Sequence, residues 1–410
     1  MNCRHCRAAL SLPFIDLGAA PPSNAYLTRE QLDAPECWYP LRVFTCTNCW
    51  LVQTQDFAHH AELFAADYAY FSATSASWLR HAEEYVAQVS QRFGLGAASM
   101  VVEVASNDGY LLQYVQALGI PCVGIEPTAS TAAAARKKGI AVREEFFGRA
   151  VAGRLVAEGL TADLTAANNV LAHVPDINDF VAGFAMLLKP QGVATFEFPH
   201  LMRLVAEGQF DTIYHEHFSY LSLTAVAHVF EHNGLALFDV EELATHGGSL
   251  RVYAQRADTG AHARTPAAEA LLTREHEAGM QTAAYYQGFQ ARAERIKDDF
   301  VAFLIESKRS HKRVMAYGAA AKGNTLMNYA GVRADLLAGV VDRNLAKQGK
   351  YMPGSRITIE AEEALRRERP DYIVVLPWNL LAEVAVQLQY VNEWGGKLVV
   401  AVPSLRVIQL

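Results

Sequence analysis

Three sets of side chains in this chain have the types and spacing to do chemistry. Cys3-x-x-Cys6 and Cys46-x-x-Cys49 offer four sulfurs. In a reducing compartment thiolates ligate metal in preference to forming disulfides, so the four read as a tetrahedral zinc site rather than redox or free thiols. A closed site of four cysteines leaves no position for water, and its role is to hold together a module too small to build its own core. The second set is imidazole chemistry: His173, which follows Asn168 and Asn169, and the run Tyr214-His215-Glu216-His217. Each histidine can move a proton near neutral pH, and Glu216 is expected to orient and charge-tune the His217 ring. An extended strand would also project His215 and His217 to one face as a metal pair, but no third ligand is evident; a satisfied structural histidine is the lesser alternative for His173 and less so for His217. The third set is acidic: Glu103, then Ser106-Asn107-Asp108-Gly109, then Glu126-Pro127.

The acidic residues close short apolar runs, Val101–Val104 and Val123–Ile125, which read as parallel strands delivering a turn and a carboxylate to one sheet edge. A nucleoside fits there, with Glu126 accepting the ribose hydroxyls and the turn admitting close backbone approach. The turn carries Ala105, Ser106 and Asn107 in place of GxGxxG, which disfavours a pyrophosphate ligand and favours S-adenosylmethionine (SAM). Glu103, Ser106, Asn107, Asp108, Glu126, Pro127, Asn168 and Asn169 are the expected cofactor contacts.

Around these residues the chain divides into an expected zinc module (1–58), a SAM domain (59–256), a helical connection of one helix or a pair (257–310) and a C-terminal α/β unit (311–410). Strand-like Tyr39 to Phe44 and Trp50 to Gln53 flank the second cysteine pair. Seven apolar runs between residues 99 and 255 alternate with helical stretches. They predict a parallel sheet with helices on both faces, its last two runs an antiparallel hairpin across Thr245-His246-Gly247-Gly248. The expected fold class is α/β, a Rossmann-like seven-stranded sheet whose layout resembles that of class I methyltransferases, with a second Rossmann-like unit behind it. That unit starts at Arg313–Tyr317 and turns through Gly318-Ala319-Ala320-Ala321-Lys322-Gly323-Asn324. A glycine turn, a helix start and a lysine suit an anionic diphosphate; the bland alternative is a structural appendage.

Composition excludes other classes. The 410 residues are 51% apolar and 19% charged, which supports two or three globular domains rather than disorder. A net charge of −7 gives no attraction to nucleic acid or an anionic membrane, and neither is expected as a partner. No apolar run is long enough to span a bilayer, and Cys3-Arg4-His5-Cys6 falls where a signal peptide needs its apolar core, so cytoplasmic residence is expected. No heptad pattern calls for an oligomer, and a monomer could complete its own site. Cys37 and Cys122 read as unpartnered thiols.

Taken together, the paired CxxC head, Glu-Val-Ala-Ser-Asn-Asp-Gly, Ile125-Glu126-Pro127, Tyr214-x-Glu216-His217 and the Tyr317-Gly318-Ala319 to Lys322 turn resemble the sugar C-methyltransferases of deoxysugar biosynthesis. The resemblance spans nearly the whole chain and keeps domain order. It implies methylation of C-3 of a nucleotide-linked 4-keto-6-deoxyhexose carried on dTDP or GDP, with zinc in the head, SAM in the middle and the nucleotide sugar anchored at the end. It makes His217 the base and places Tyr68, His173, Tyr214 and Glu216 around the sugar, with Tyr70 able to take the place of Tyr68. Tyr317, Gly318, Lys322 and Asn324, and Tyr70, are the expected substrate contacts. Two other readings compete: an O- or N-methyltransferase in which the histidines deprotonate a hydroxyl or amine, and a non-catalytic zinc-stabilised binding protein. The polar cluster of His173, Tyr214, Glu216 and His217 argues against the last.

Overall fold

The computed structural model describes residues 1–57 and 71–410; Tyr68 and Tyr70 lie outside them. Its strands are β1 (Leu12–Ala20), β2 (Tyr39–Thr45), β3 (Val52–Thr54), β4 (Val101–Val104), β5 (Cys122–Ile125), β6 (Ala141–Arg143), β7 (Ala162–Asn168), β8 (Leu188–Pro199), β9 (Ser219–Tyr220), β10 (Leu235–Leu243) and β11 (Ser249–Arg256). The remaining six are β12 (Val314–Tyr317), β13 (Val340–Val341), β14 (Ile359–Glu360), β15 (Tyr372–Val375), β16 (Lys397–Val400) and β17 (Arg406–Ile408). They form three sheets.

The central sheet has the order β10-β11-β8-β7-β4-β5-β6. All neighbours are parallel except β11, which runs antiparallel to both β8 and β10. This is the Rossmann-like class I methyltransferase sheet, with the expected hairpin at its edge. Its strands read as continuous apolar runs because both faces are covered. Successive residues alternate between two cores: Val102, Val104 and Phe196 pack on one side, Val101, Leu164 and Val193 on the other.

The C-terminal sheet, order β14-β13-β12-β15-β16-β17, is parallel except for β17. It opens its crevice where the chain order reverses, at the carboxyl end of β12.

The N-terminal sheet, β1-β2-β3-β9, departs from expectation twice. β1 escaped the sequence reading because Leu-Pro-Phe-Ile-Asp-Leu-Gly interrupts the period of two; in the structure the register shifts at Pro13/Ile15 and again at Asp16/Ala19. The second departure matters more. β9 lies far along the chain, two residues after His217, yet it pairs with β3, Val52 opposite Tyr220 and Gln53 opposite Ser219. The cysteine-rich head is thereby joined to the histidine loop by backbone hydrogen bonds.

The connection consists of helices Pro266–Glu277 and Phe289–Arg309 with a short turn, Ala283–Tyr286, between them. The longer helix buries Phe289, Ala293, Ile296, Phe300 and Leu304, a three-and-four spacing that keeps one stripe inward. That stripe shares a core with Phe14 and Val43 of the N-terminal sheet and Val314, Val374 and Val399 of the C-terminal one. Among the described residues no helix is long and apolar enough to cross a membrane.

Candidate active site and zinc centre

Cys3, Cys46 and Cys49 are buried and Cys6 is half-buried. Sulfur separations are 3.6 Å for Cys3–Cys49 and 3.5 Å for Cys6–Cys46, and all four lie within 4.8 Å of one another. Zn–S bonds of about 2.3 Å place tetrahedral sulfurs about 3.8 Å apart, so the group fits the ion. Gln53 Nε2 donates to Cys3 Sγ at 3.2 Å and the Asn48 N–H to Cys46 Sγ at 3.4 Å, bonds that favour thiolates. Cys37 is exposed and Cys122 half-buried, both apart from this group.

The cofactor candidates meet at the carboxyl edge of the central sheet. The turn after β4 needs positive φ at Ala105 (59°), Asn107 (49°) and Gly109 (74°). Strain of this kind concentrates at ligand sites. Glu126, at the end of β5, accepts from the Asn107 and Thr128 N–H groups, both at 2.9 Å. A Cβ on Gly124 would stand 2.3 Å from Ser106 Oγ, so that glycine makes room for the turn. Glu103 is fully buried, and burial holds its carboxyl well above the usual range, eased by the Tyr110 hydroxyl and worsened by Glu126 and Asp108.

Three carboxylates thus converge; among the described residues Lys138, 4.0 Å from Asp108, is the cation paired with them. Ser106 Oγ, Asp108 Oδ1 and Asn168 Oδ1 are buried there without hydrogen-bond partners in the described structure. Acidic groups short of cations and polar atoms short of partners suit a ligand that carries an ammonium, a sulfonium and a ribose, as SAM does. Pro127 leads from Glu126 into this edge, and Asn169 (φ 53°) follows Asn168, its N–H donating to the Glu197 carbonyl at 2.7 Å.

The histidine loop lies beside this edge. The His217 and His173 rings meet edge to face with centroids 4.6 Å apart, and the Tyr214 ring lies 3.9 Å from that of His217. His217 Nδ1 is 2.8 Å from the Thr212 carbonyl oxygen. A carbonyl can only accept, so Nδ1 carries the hydrogen and the lone pair of the neutral ring sits on Nε2. This corrects the expectation for Glu216. Its carboxylate does not orient the imidazole; the Thr212 carbonyl does, and Glu216 Oε2 instead accepts from Asn24 Nδ2 at 2.6 Å. Adjacent residues in a turn diverge, which spacing alone does not reveal. His215 diverges too: its Nε2 bonds to the Tyr39 carbonyl at 3.2 Å, so it forms no metal pair with His217.

Burial drives the His217 pKa well below its usual value, helped by the neighbouring His173 ring and by the Lys322 charge, against the pull of the Thr212 carbonyl. His173 is pushed down to about 4 by burial, opposed by its hydrogen bond to the Glu216 backbone. The His217 ring is therefore held neutral near physiological pH. With His217 as the base, the expected result is that kcat/KM stays level as pH falls past the ordinary imidazole value of 6.5 and drops only further into acid. The same shifts act on stability. The unfolded chain protonates these rings where the folded one does not, so it binds more protons and thermal stability declines as pH falls below about 6.5. A rate profile whose acid limb lies at or above that value contradicts the assignment.

The C-terminal unit meets the segment before the histidine loop, where Thr325 Oγ1 donates to the Ile213 carbonyl at 2.9 Å. Lys322 Nζ donates to Asn379 Oδ1 at 2.6 Å and lies 4.6 Å above the Trp378 ring. Trp378 Nε1 in turn donates to Asp211 Oδ2 at 2.7 Å, and burial raises that carboxyl to about 6 against the Lys322 charge. Asn324 is wholly buried, its side-chain amide without a hydrogen-bond partner among the described residues. Gly318 (φ 87°) has a structural reason of its own, since a Cβ there would stand 2.6 Å from Pro377 Cδ. Tyr317 is set apart from Lys322: it packs in the cluster on the other face of its sheet, and its hydroxyl accepts from Gln387 at 2.7 Å.

Sequence reasoning missed Asn24, Asp211, Trp378 and His246. His246 (φ 55°) accepts from Asn169 Nδ2 at 3.4 Å, and burial lowers its pKa to about 4. A signal for it existed: β8 ends at the site edge, so the turn of the hairpin that follows must return there. Nothing local marked the other three.

Known proteins place the chain. Family models match in three consecutive parts: residues 3–64 the "Putative zinc binding domain", residues 78–240 a methyltransferase domain, and residues 244–403 a C-methyltransferase C-terminal domain. The chain is 32% identical over 407 residues to the C-methyltransferase NovU of Streptomyces niveus, covering 99% of this chain and 96% of that one. Solved structures include the magnesium protoporphyrin IX methyltransferase of Synechocystis PCC 6803, 15% identical over 43% of this chain and 79% of that one with a TM-score of 0.33. Another is a methyltransferase from Mesorhizobium loti, 16% identical over 43% and 100% with a TM-score of 0.35. Likeness at that level adds nothing to the assignment, which rests on the full-length relative and on the residues above: the chain belongs to the C-methyltransferases, with S-adenosylmethionine as its methyl donor and zinc in its cysteine-rich head.

Proposed function

We propose that the protein adds a methyl group to C-3 of a nucleotide-diphosphate-linked 4-keto-6-deoxyhexose. The observation that carries this reading is the His217 ring, held neutral with Nδ1 committed to the Thr212 carbonyl and Nε2 left as a base. A C–H bond is acidic enough to lose its proton to such a base only beside a carbonyl whose developing enolate oxygen is stabilised. His173 and Tyr214, whose rings flank that of His217, are the candidates to hold the C-4 oxygen. Bound SAM supplies the electrophilic methyl carbon.

In this reading Nε2 of His217 removes the C-3 proton from one face of the sugar, and the cofactor edge lies across the other. His173 and Tyr214 then hold the enolate oxygen while the cleft keeps water away. Glu103, Ser106, Asn107, Asp108, Glu126 and Pro127 with Asn168 and Asn169 bind the cofactor. Lys322, Gly318 and Asn324 receive the diphosphate, the half-buried Lys322 charge being the attraction for it; Tyr317, on the far face, has a more distant part. Two anchors for two nucleosides hold both reactants in one crevice, and that proximity supplies much of the acceleration. Residues 1–58, 59–256 and 311–410 act as head, methyl-donor unit and sugar-nucleotide unit, joined by 257–310.

The test is incubation with SAM and a panel of dTDP- and GDP-linked 4-keto-6-deoxy sugars, read by mass. One added methyl, with solvent deuterium entering C-3 in the absence of SAM, is the expected result. Methylation without exchange would indicate an O- or N-acceptor, and no methylated sugar at all would end the reading.

A further inference from the structure

We propose that Asn24, in the head, is a positioning residue of the active site. β1 and β2 form a hairpin with the cysteines at one end, Leu12 opposite Thr45, and a loop at the other, beyond the Ala20–Tyr39 pair. That loop crosses to the C-terminal unit. Leu27 and Tyr351 exchange backbone bonds of 3.0 and 2.9 Å, the Gly354 N–H donates to Glu36 Oε1 at 2.6 Å, and Arg356 donates to the Leu32 carbonyl at 2.8 Å. Asn24 sits where head, histidine loop and C-terminal turn meet.

Its amide has a job on each side. Nδ2 donates to Glu216 Oε2 at 2.6 Å, and Oδ1 lies 3.3 Å from the Tyr26 hydroxyl. The single hydrogen of that hydroxyl goes to the nearer Ala319 carbonyl at 2.6 Å, where Lys347 Nζ also donates at 2.8 Å. A polar chain therefore runs from the carboxylate next to His217, through two residues of the head, to the turn at Gly318. Glu216 is 1% exposed, so its direction is set by protein partners rather than water. Asn24 is one of the partners that set that direction, on a residue whose backbone also holds the His173 ring.

The inference rests on the histidine cleft being the site of methyl transfer. Asn24→Ala is expected to lower kcat about 10- to 100-fold, the scale of a misplaced catalytic group, with SAM KM and bound zinc unchanged. Asn24→Asp keeps the shape and sets carboxyl against carboxyl, so one of the two retains a proton. Below that shared ionisation the acid donates to Glu216 and activity recovers; above it two anions repel and activity is lost. A contact that merely stabilises the fold would introduce no new limb in the pH profile. An infrared band of a protonated carboxyl in N24D, absent from N24A, reads the Asn24–Glu216 contact without any sugar, which separates this inference from the choice of substrate. Wild-type kcat and pH profile in both variants, or absence of that band, would overturn it.

Discussion

His217→Ala will lose about 10²- to 10⁴-fold in kcat while its affinity for SAM stays within about 2-fold of the parent. The size follows from the position of the ring. Nε2 is the lone-pair nitrogen because Nδ1 is spent on the Thr212 carbonyl, and burial keeps the ring from being lost to protonation at neutral pH. Removing it deletes the proton acceptor and leaves the cofactor edge, built from β4, β5 and β7, untouched. His217→Gln is the informative companion, since its amide can bond to the same carbonyl without serving as a base; it should be as inactive as alanine. Calorimetry with SAM and turnover on the methyl acceptor check both parts. A variant with parental kcat would show that the base lies elsewhere, and His173 would be the first candidate.

The central sheet was legible because buried parallel strands leave long apolar runs, and those from Val101 to Ala254 stood out one by one. That the cofactor candidates would meet at one edge was legible for a related reason, as the carboxyl ends of such strands are where acids and strained turns collect. The cysteines needed only their spacing. What stayed hidden is what the chain brings together from a distance. β9 is two residues long and pairs with a strand more than a hundred and fifty positions earlier, and no local pattern encodes that partner. Asn24 is one polar residue in a loop of prolines and alanines, and its meaning lies in Glu216, far along the chain. Glu216 could have oriented the ring beside it, but residues adjacent along a turn send their side chains apart, and its carboxylate meets Asn24 while the ring meets the Thr212 carbonyl.

That long-range pairing yields the second large effect: removal of zinc should abolish turnover, lowering kcat at least about 100-fold, while SAM still binds. The ion is far from the chemistry in function but close in construction. Cys46 and Cys49 lead directly into β3, and β3 pairs with β9, the strand that follows His217. The Thr54 N–H donates to the Phe218 carbonyl at 3.1 Å and its Oγ1 to the His217 carbonyl at 3.3 Å, so the backbone of the base is tied to the head. Without the ion four thiols crowd a site packed for thiolates around a cation, and the short strands on either side have little core of their own to hold them. The cofactor edge belongs to another sheet; one of its cores is shared with Cys3, Cys46 and Cys49, but the other, around Val101, Leu111 and Leu164, holds no residue of the head, and on that support the edge should survive. Chelation followed by separate measurement of kcat, SAM affinity and recovery on adding zinc distinguishes the outcomes. Full turnover in metal-free protein would mean that the β3–β9 pairing persists without the ion and that the head is held by its contacts with the C-terminal unit instead. Loss of SAM binding together with turnover would mean that the head stabilises the whole chain, not the histidine loop in particular.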